Sequence, residues 1–270
     1  MAKIELVIID PQNDFCDPKG SLFVKGADND MKRLSAFVKR VGSKLGDINV
    51  TLDSHHDVDI AHPIFWRNSA GKNPSPFTII TPNDVESGVW IPSVPSKSLR
   101  QRAISYVKEL GAKGRYPLCI WPVHCVIGSW GHNIYPELHE ALREWETREF
   151  ATMTTVTKGS NPYTEHYSAI KAEVPDPSDT TTQINTDFIK KLMDADQILI
   201  AGEALSHCVC HTVTDTADEF GSDEYVKKLV LLEDASSPVP GFEKQANDFI
   251  KMMTSRGMKI SNTTDYAVSL

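Results

Sequence analysis

Long apolar runs are missing from this 270-residue chain. No stretch approaches the roughly 18 consecutive apolar residues that span a bilayer. The opening MAKIELVIID is too short an apolar segment for a secretory leader and runs directly into acidic and polar residues. Cysteine is sparse, with five residues (Cys16, Cys119, Cys125, Cys208 and Cys210) in no regular spacing. An odd, irregular set excludes a disulfide framework and predicts reduced thiols in a cytoplasmic protein. Basic charge is in deficit: 28 Lys and Arg against 36 Asp and Glu, a net charge of −8. That argues against nucleic acid or an anionic membrane as the main partner, because both need clustered cations. Internal repeats, coiled-coil heptads and low-complexity tails are also absent. What remains is ordinary globular composition, 40% hydrophobic and 24% charged, in a chain long enough for a sizeable core.

Apolar runs alternate with helical patterns. Ile4–Ile9 reads as a buried strand, followed by a helix over 28–45 and a second strand over 48–52 that ends at Asp53. Further runs at 197–201, 226–232 and 258–260 alternate with helices near 187–193, 208–220 and 242–254. Buried runs separated by helices predict a three-layer α/β/α sandwich around a mainly parallel sheet. Ligands of such sheets bind beyond the carboxyl ends of the strands, where Asp10, Asp53 and the segment 202–208 all fall. The stretch 63–117 breaks the rhythm with Pro, Ser and Asn and holds one helix, about 96–110, stopped by Gly111. It reads either as an excursion over the site or at a subunit contact, or as a plain surface insertion. The mixed charges of 137–149 predict a helix with one solvated face.

Several polar residues stand where chemistry would be placed. Asp10 closes the first strand and is either a helix cap or a functional carboxylate. Asp53 and His55 project to the same side of an extended segment, with His62 nine residues beyond Asp53 and His124 in WPVHC. One carboxylate and two or three imidazoles suit a divalent transition metal with open positions, although a single histidine is more often a surface residue. Cys208 opens a predicted helix, where free amides and the helix dipole favour a thiolate; a buried structural thiol is the alternative. Lys158 follows a strand over 152–157 and is either a solvated end or a charge that lowers the thiol pKa. Trp66, Trp90 and Trp130 read as core or insertion anchors. His132, His139, His166 and His211 read as surface or packing residues.

Taken together, VIIDPQNDF, GSLFVKGA, DSH, WPVHCVIGSWG, TKG, YSA and GEALSHCV resemble, in order and over nearly the full length, the nicotinamidases of the isochorismatase-like cysteine hydrolase superfamily. The resemblance implies a single domain over 1–270, with 63–117 an insertion longer than in compact members. It implies a catalytic triad of Asp10, Lys158 and Cys208, and metal ligands Asp53, His55 and His124, with His62 matching a fourth ligand of some members. Phe15 and Trp121 would sandwich the substrate ring, and Tyr167 and His207 would line the pocket. The backbone amides of Ala204 and Cys208 would form an oxyanion hole beside a non-proline cis bond at Ala204–Leu205. Retention of Cys208 argues against the vinyl-ether hydrolases of the superfamily, which lack it.

The expected reaction is deamidation of nicotinamide to nicotinate and ammonia through a cysteine thioester, with one divalent metal, zinc by default and iron or manganese otherwise. Two other readings remain: a metal-independent amidase for acyclic carbamoyl or ureido amides, and a non-catalytic ligand or metal binder. A homo-oligomer would be ordinary for such a chain, with 63–117 a source of interface.

Overall fold

The computed structural model describes residues 2–113 and 115–267. Strand β1 (Ile4–Ile9) is buried at all six positions and divides its side chains between two cores. Leu6 and Ile8 pack with Ile48, Val50, Leu199 and Val230 on one face of the sheet. Val7 and Ile9 pack with Ile198, Ile200, Leu229 and Leu231 on the other. The period of two is intact, but both faces are dry, so the sequence shows a run rather than an alternation.

Five more strands join β1: β2 (Asp47–Asp53), β3 (Thr154–Lys158), β4 (Gln197–Gly202), β5 (Leu229–Leu232) and β6 (Lys259–Ser261). The sheet order is β6-β5-β4-β1-β2-β3, and every pairing is parallel. The order reverses at β1, which lies between β4 and β2, so a crevice opens beyond the carboxyl ends of these strands.

Helices cover both faces. On one lie α1 (Ala27–Val41) and α3 (Pro136–Glu149). Met31, Leu34 and Val38 follow helical spacing and are fully buried. Trp145 of α3 is buried and donates from Nε1 to the Gly42 carbonyl at 3.0 Å, so truncating it to Ala would cost about 3–5 kcal/mol. On the other face lie α2 (Lys97–Ala112), α4 (Thr186–Met193), α5 (Cys208–Glu219) and α6 (Glu243–Ser255). The three-layer α/β/α architecture read from the sequence is the one observed. Among the described residues, no helix is long and apolar enough to cross a membrane.

Several boundaries differ from expectation. The 28–45 helix ends at Val41, and a 3-10 turn covers Gly42–Lys44. Val226 ends a short helix capped by Ser222, so the run 226–232 is a strand only from Leu229. Gly111 does not stop α2, which continues to Ala112 with Lys113 as its cap. Gly111 lies on an exposed face, where it costs the helix only about 1 kcal/mol. Trp66 is buried and Trp90 packs on the core, but Trp130 is about half exposed and belongs to neither hydrophobic cluster of the described residues.

The 63–117 stretch contributes directly to one core. It forms two small antiparallel ribbons, Trp66–Arg67 with Ile91–Pro92 and Ile79–Ile80 with Leu118–Cys119. Trp66, Ile80, Val85, Ala103, Val107 and Leu110 share a hydrophobic cluster with Val7, Ile9 and Trp121.

Candidate active site

Four neighbouring strands deliver the polar residues. β1 runs into Asp10, β2 ends on Asp53, β3 ends on Lys158, and β4 ends at Gly202 before the loop to Cys208. Asp10 adopts a left-handed backbone (φ 43°), which turns the chain as it leaves β1. Gly202, with φ 111°, passes so near β1 that a Cβ would lie 2.0 Å from the Ile9 carbonyl oxygen. Only glycine lets the two strand ends meet this closely.

Lys158 is the hub. Its Nζ lies 2.9 Å from Asp10 Oδ2 and 3.1 Å from Asp53 Oδ1, and it donates to the His166 carbonyl at 3.0 Å. Cys208 Sγ is 3.6 Å away. All four side chains are buried. Burial alone would lower the lysine, but Asp10, Asp53 and Cys208 hold it well above its ordinary range. Burial raises Asp10, and the Lys158 ammonium reverses only part of that. The Cys208 thiol is likewise pushed well up by burial. Lys158 pulls it down, as the sequence suggested, but desolvation wins, so the resting group is a thiol beside a carboxyl of raised basicity.

Asp10 is held by a residue that sequence reasoning missed. Thr51 Oγ1 donates to Asp10 Oδ1 at 2.6 Å and accepts from the Asp10 amide at 3.0 Å. The signal was available in β2, where Asp47, Asn49, Thr51 and Asp53 alternate with Ile48, Val50 and Leu52. Asn49 meets Glu5, Thr51 meets Asp10, and Asp53 meets Lys158.

The second half of the site shares Asp53. Its Oδ2 is 3.0 Å from His55 Nε2 and 3.5 Å from His124 Nε2, and Asp53, His55 and His124 place one donor atom each within 4.8 Å of one another. Burial would raise the Asp53 carboxyl, but His55 and Lys158 hold it well below its usual range. The outward nitrogens of both imidazoles are occupied: His55 Nδ1 by Asp59 Oδ2 at 3.0 Å, and His124 Nδ1 by the Pro122 carbonyl at 2.8 Å. Such outer partners fix the tautomer and leave each Nε2 as a ligand atom. His62 is adjacent, with Nε2 3.3 Å from His124 Nδ1, but stands outside the three-residue set. Burial and the neighbouring histidines lower it to about 4.

Asp14 and Gln12 fasten the frame. Asp14 accepts from the Cys125 and Ser21 amides, and the Gln12 side chain pairs with both backbone groups of Asp53 at 2.7 Å. Glu165 was also missed. It is buried beside Tyr167, its Oε2 has no hydrogen-bond partner, and it lines the same cleft as Asp53 and His124. Burial lifts its carboxyl to about 8. Asp53 and Asp59 bracket His55, and the set of one carboxylate and two imidazoles fits a divalent cation.

The cleft is walled by Phe15, Trp121, Tyr167, His207 and Val239, with Ala204 and Cys208 also lining it. Phe15 meets His124 edge to face at 5.4 Å, and Trp121 Nε1 donates to the Tyr167 hydroxyl at 3.2 Å. His207, lowered to about 3 by burial, packs between Tyr116 and Phe242, each 4.7 Å from it. The non-proline cis bond lies at Glu203–Ala204, one peptide earlier than expected, where the Glu203 amide is held by the Ile9 carbonyl at 2.7 Å. The amides of Ala204 and Cys208 find no acceptor among the described residues. His166 and His211, expected as surface or packing groups, are both buried and hydrogen-bonded, His211 to Glu173 at 3.1 Å and His166 Nδ1 to the Gly159 amide at 3.3 Å.

No family model matches the sequence. The chain is similar to the nicotinamidase of Saccharomyces cerevisiae, 26% identical over 237 residues that cover 87% of this chain and 88% of the relative. It is 25% identical over 213 residues to the nicotinamidase of Escherichia coli, covering 78% and 74%. Among solved structures, the yeast nicotinamidase bound to the inhibitor nicotinaldehyde aligns with a TM-score of 0.65 at 20% identity, over 96% of this chain and 99% of that one. The pyrazinamidase of Pyrococcus horikoshii in complex with zinc aligns with a TM-score of 0.57 at 20% identity, over 96% and 99%. The relatives agree with the resemblance read from the motifs, and the solved structures with the fold.

Proposed function

We propose that this protein is a cysteine amidohydrolase of the nicotinamidase type, which converts nicotinamide to nicotinate and ammonia. The observation that carries the reading is Lys158 Nζ against both Asp10 and Cys208, at 2.9 Å and 3.6 Å, with the Ala204 and Cys208 amides lacking acceptors among the described residues.

Asp10 takes the Cys208 proton as the sulfur attacks the carboxamide carbon. Lys158 holds the carboxylate in place and balances the negative charge that appears on sulfur. The oxygen of the tetrahedral adduct accepts from the Ala204 and Cys208 amides. As the C–N bond breaks, Asp10 returns the proton to nitrogen and ammonia leaves, with the acyl group on sulfur as a thioester. Water then adds to the thioester with Asp10 as base. As the C–S bond breaks, Asp10 passes that proton to Cys208, and the acid leaves as its carboxylate with its remaining proton released to solvent.

A divalent metal belongs to the site, and we assign it to Asp53, His55 and His124, with zinc the first choice for two imidazoles and a carboxylate. Glu165 lines the cleft beside this set, and His62 stands against His124 at 3.3 Å. When bound, the metal supplies a fixed point that orients the substrate ring. Phe15, Trp121 and Tyr167 favour a flat aromatic amide over an acyclic one. The stretch 63–117 is then part of a single domain that backs Trp121, with Phe77 against that ring at 6.0 Å. All five cysteines are free, in keeping with a reducing, cytoplasmic setting.

The test is ammonia release from nicotinamide by purified protein, before and after chelation and metal return. Activity that falls and recovers supports the reading. No turnover by folded, metal-loaded protein would overturn the substrate assignment. Cys208→Ala retaining near wild-type hydrolysis would overturn the thioester route.

A further inference from the structure

Glu203 stands between the end of β4 and Ala204, whose amide the proposed reaction uses, yet its own side chain does not line the cleft. It is fully buried. Ser237 brings a second acid against it. The Ser237 amide donates to Glu203 Oε2 at 3.1 Å, and the Ser237 hydroxyl donates to Asp30 Oδ2 at 2.5 Å. Asp30, on α1, is buried as well, and its Oδ1 is paired with Arg33. Both Asp30 oxygens therefore accept, whereas Glu203 Oε1 is buried with no donor to accept from.

The Glu203 and Asp30 carboxyls are in hydrogen-bond contact, which takes a proton on one of them. Arg33 balances the charge on Asp30, so the proton belongs on Glu203 Oε1, where it turns an orphan acceptor into a donor. Burial, and next Asp30, push the Glu203 carboxyl well above its usual range; Arg33 on α1 works against this, and the Cys16 thiol from the turn after β1 also stands near. The segment that carries Ser237 is stitched along 202–206. The Ser236 hydroxyl donates to the Gly202 carbonyl at 2.6 Å, the Leu205 amide to the Ser237 carbonyl at 2.9 Å, and the Val239 amide to Ser206 Oγ at 3.0 Å.

We propose that Glu203 is a positioning residue that acts as a neutral acid: Oε1–H donates to Asp30 and Oε2 accepts from Ser237, which pins the loop bearing the Ala204 amide to α1 and to 236–239. The use of that amide as an oxyanion donor rests on the amidase reading; the protonated tie itself does not.

Glu203→Gln and Glu203→Leu in the full-length protein test it. Glutamine keeps both bonds, its NH₂ on Asp30 and its carbonyl on Ser237, and should keep kcat for nicotinamide within about twofold. Leucine breaks both and should lower kcat about tenfold or more with little change in KM, because the oxyanion exists only in the transition state. Two readouts need no substrate. Hydrogen exchange at the Leu205 amide should quicken about tenfold in Glu203→Leu and not in Glu203→Gln. Ser237→Ala, which removes only the hydroxyl on Asp30, should quicken it too and serves if Glu203→Leu does not fold. Folded Glu203 keeps a proton that the unfolded chain releases above about 4.5, so unfolding is favoured as pH rises. The unfolding constant of wild type relative to Glu203→Gln should therefore rise tenfold per pH unit from there toward neutrality. The proposal fails if that ratio is flat with pH, if glutamine loses as much kcat as leucine, or if Leu205 exchange is unchanged in every variant. No turnover by any form would sink the amidase reading, and the exchange and unfolding results would still decide this one.

Discussion

Asp53 and Lys158 meet through Asp53 Oδ1 at 3.1 Å, while Oδ2 of the same carboxylate faces His55 and His124. One side chain therefore serves two constellations, and losing its charge should be felt in both.

Asp53→Asn and His124→Ala should separate those roles. Both should lower metal content. Excess metal should restore most activity to His124→Ala, whose loss is confined to coordination. It should not restore Asp53→Asn, because Lys158 keeps only one of its two carboxylate partners in a buried site. Equal rescue of the two, read by metal analysis and ammonia release, would refute the shared role.

Thr51→Val keeps the shape of Thr51 but removes the hydroxyl that fixes Asp10. A hydrogen bond to a charged group contributes about 1.5–3 kcal/mol, so kcat should fall by about 10- to 100-fold. KM should change little, since Thr51 does not line the cleft. A loss confined to KM would show that Thr51 has no part in holding the base.

His207 gives a pH signature. Burial lowers it from 6.5 to about 3, so it stays neutral in the folded chain while the unfolded chain takes up a proton below 6.5. Its contribution to stability is complete above pH 6.5 and is lost as pH falls toward 3, by about 1.4 kcal/mol per unit. Denaturant unfolding of chelated wild type and His207→Asn at several pH values isolates this group. The gap between them should change by that slope below pH 6.5, and parallel curves would show that His207 is not held neutral.

Gly202→Ala should destabilise the fold strongly. The new methyl would lie 2.0 Å from the Ile9 carbonyl oxygen, at a φ of 111° that alanine resists. A loss above about 3 kcal/mol is expected, and a midpoint within about 1 kcal/mol of wild type would mean that the strand ends can separate at little cost.

The strands and the main site residues were legible because they sit on local patterns, whereas the order of the strands in the sheet was not. Ile4–Ile9 and the 197–201 run are apolar and close on Asp10 and Gly202, and the 48–52 strand closes on Asp53, which marks both the strand and its functional end. Glu165, His166 and Asp59 were not legible in this way. Their importance comes from what lies across space: Lys158 reaching the His166 carbonyl, Asp59 holding His55, and Glu165 lining the cleft that His124 also lines. Trp130 misled because an aromatic residue in an apolar-looking stretch reads as core, whereas its loop leaves the ring in solvent. Thr51 was legible only by reading β2 as two faces, one apolar and one carrying Asn49, Thr51 and Asp53.

The parallel order β4-β1-β2-β3 has a consequence for how activity is acquired. Cys208, Asp10, Asp53 and Lys158 hang from four adjacent strands that come from distant parts of the chain, and no two consecutive elements contain the reacting groups. Turnover therefore requires every one of these non-local pairings at once, with none a residue out of step. Such pairings are the slow ones, because the chain closes its long loops before any contact rewards it. On refolding, helical signal should return ahead of turnover, and catalysis itself would report when the last strand has docked.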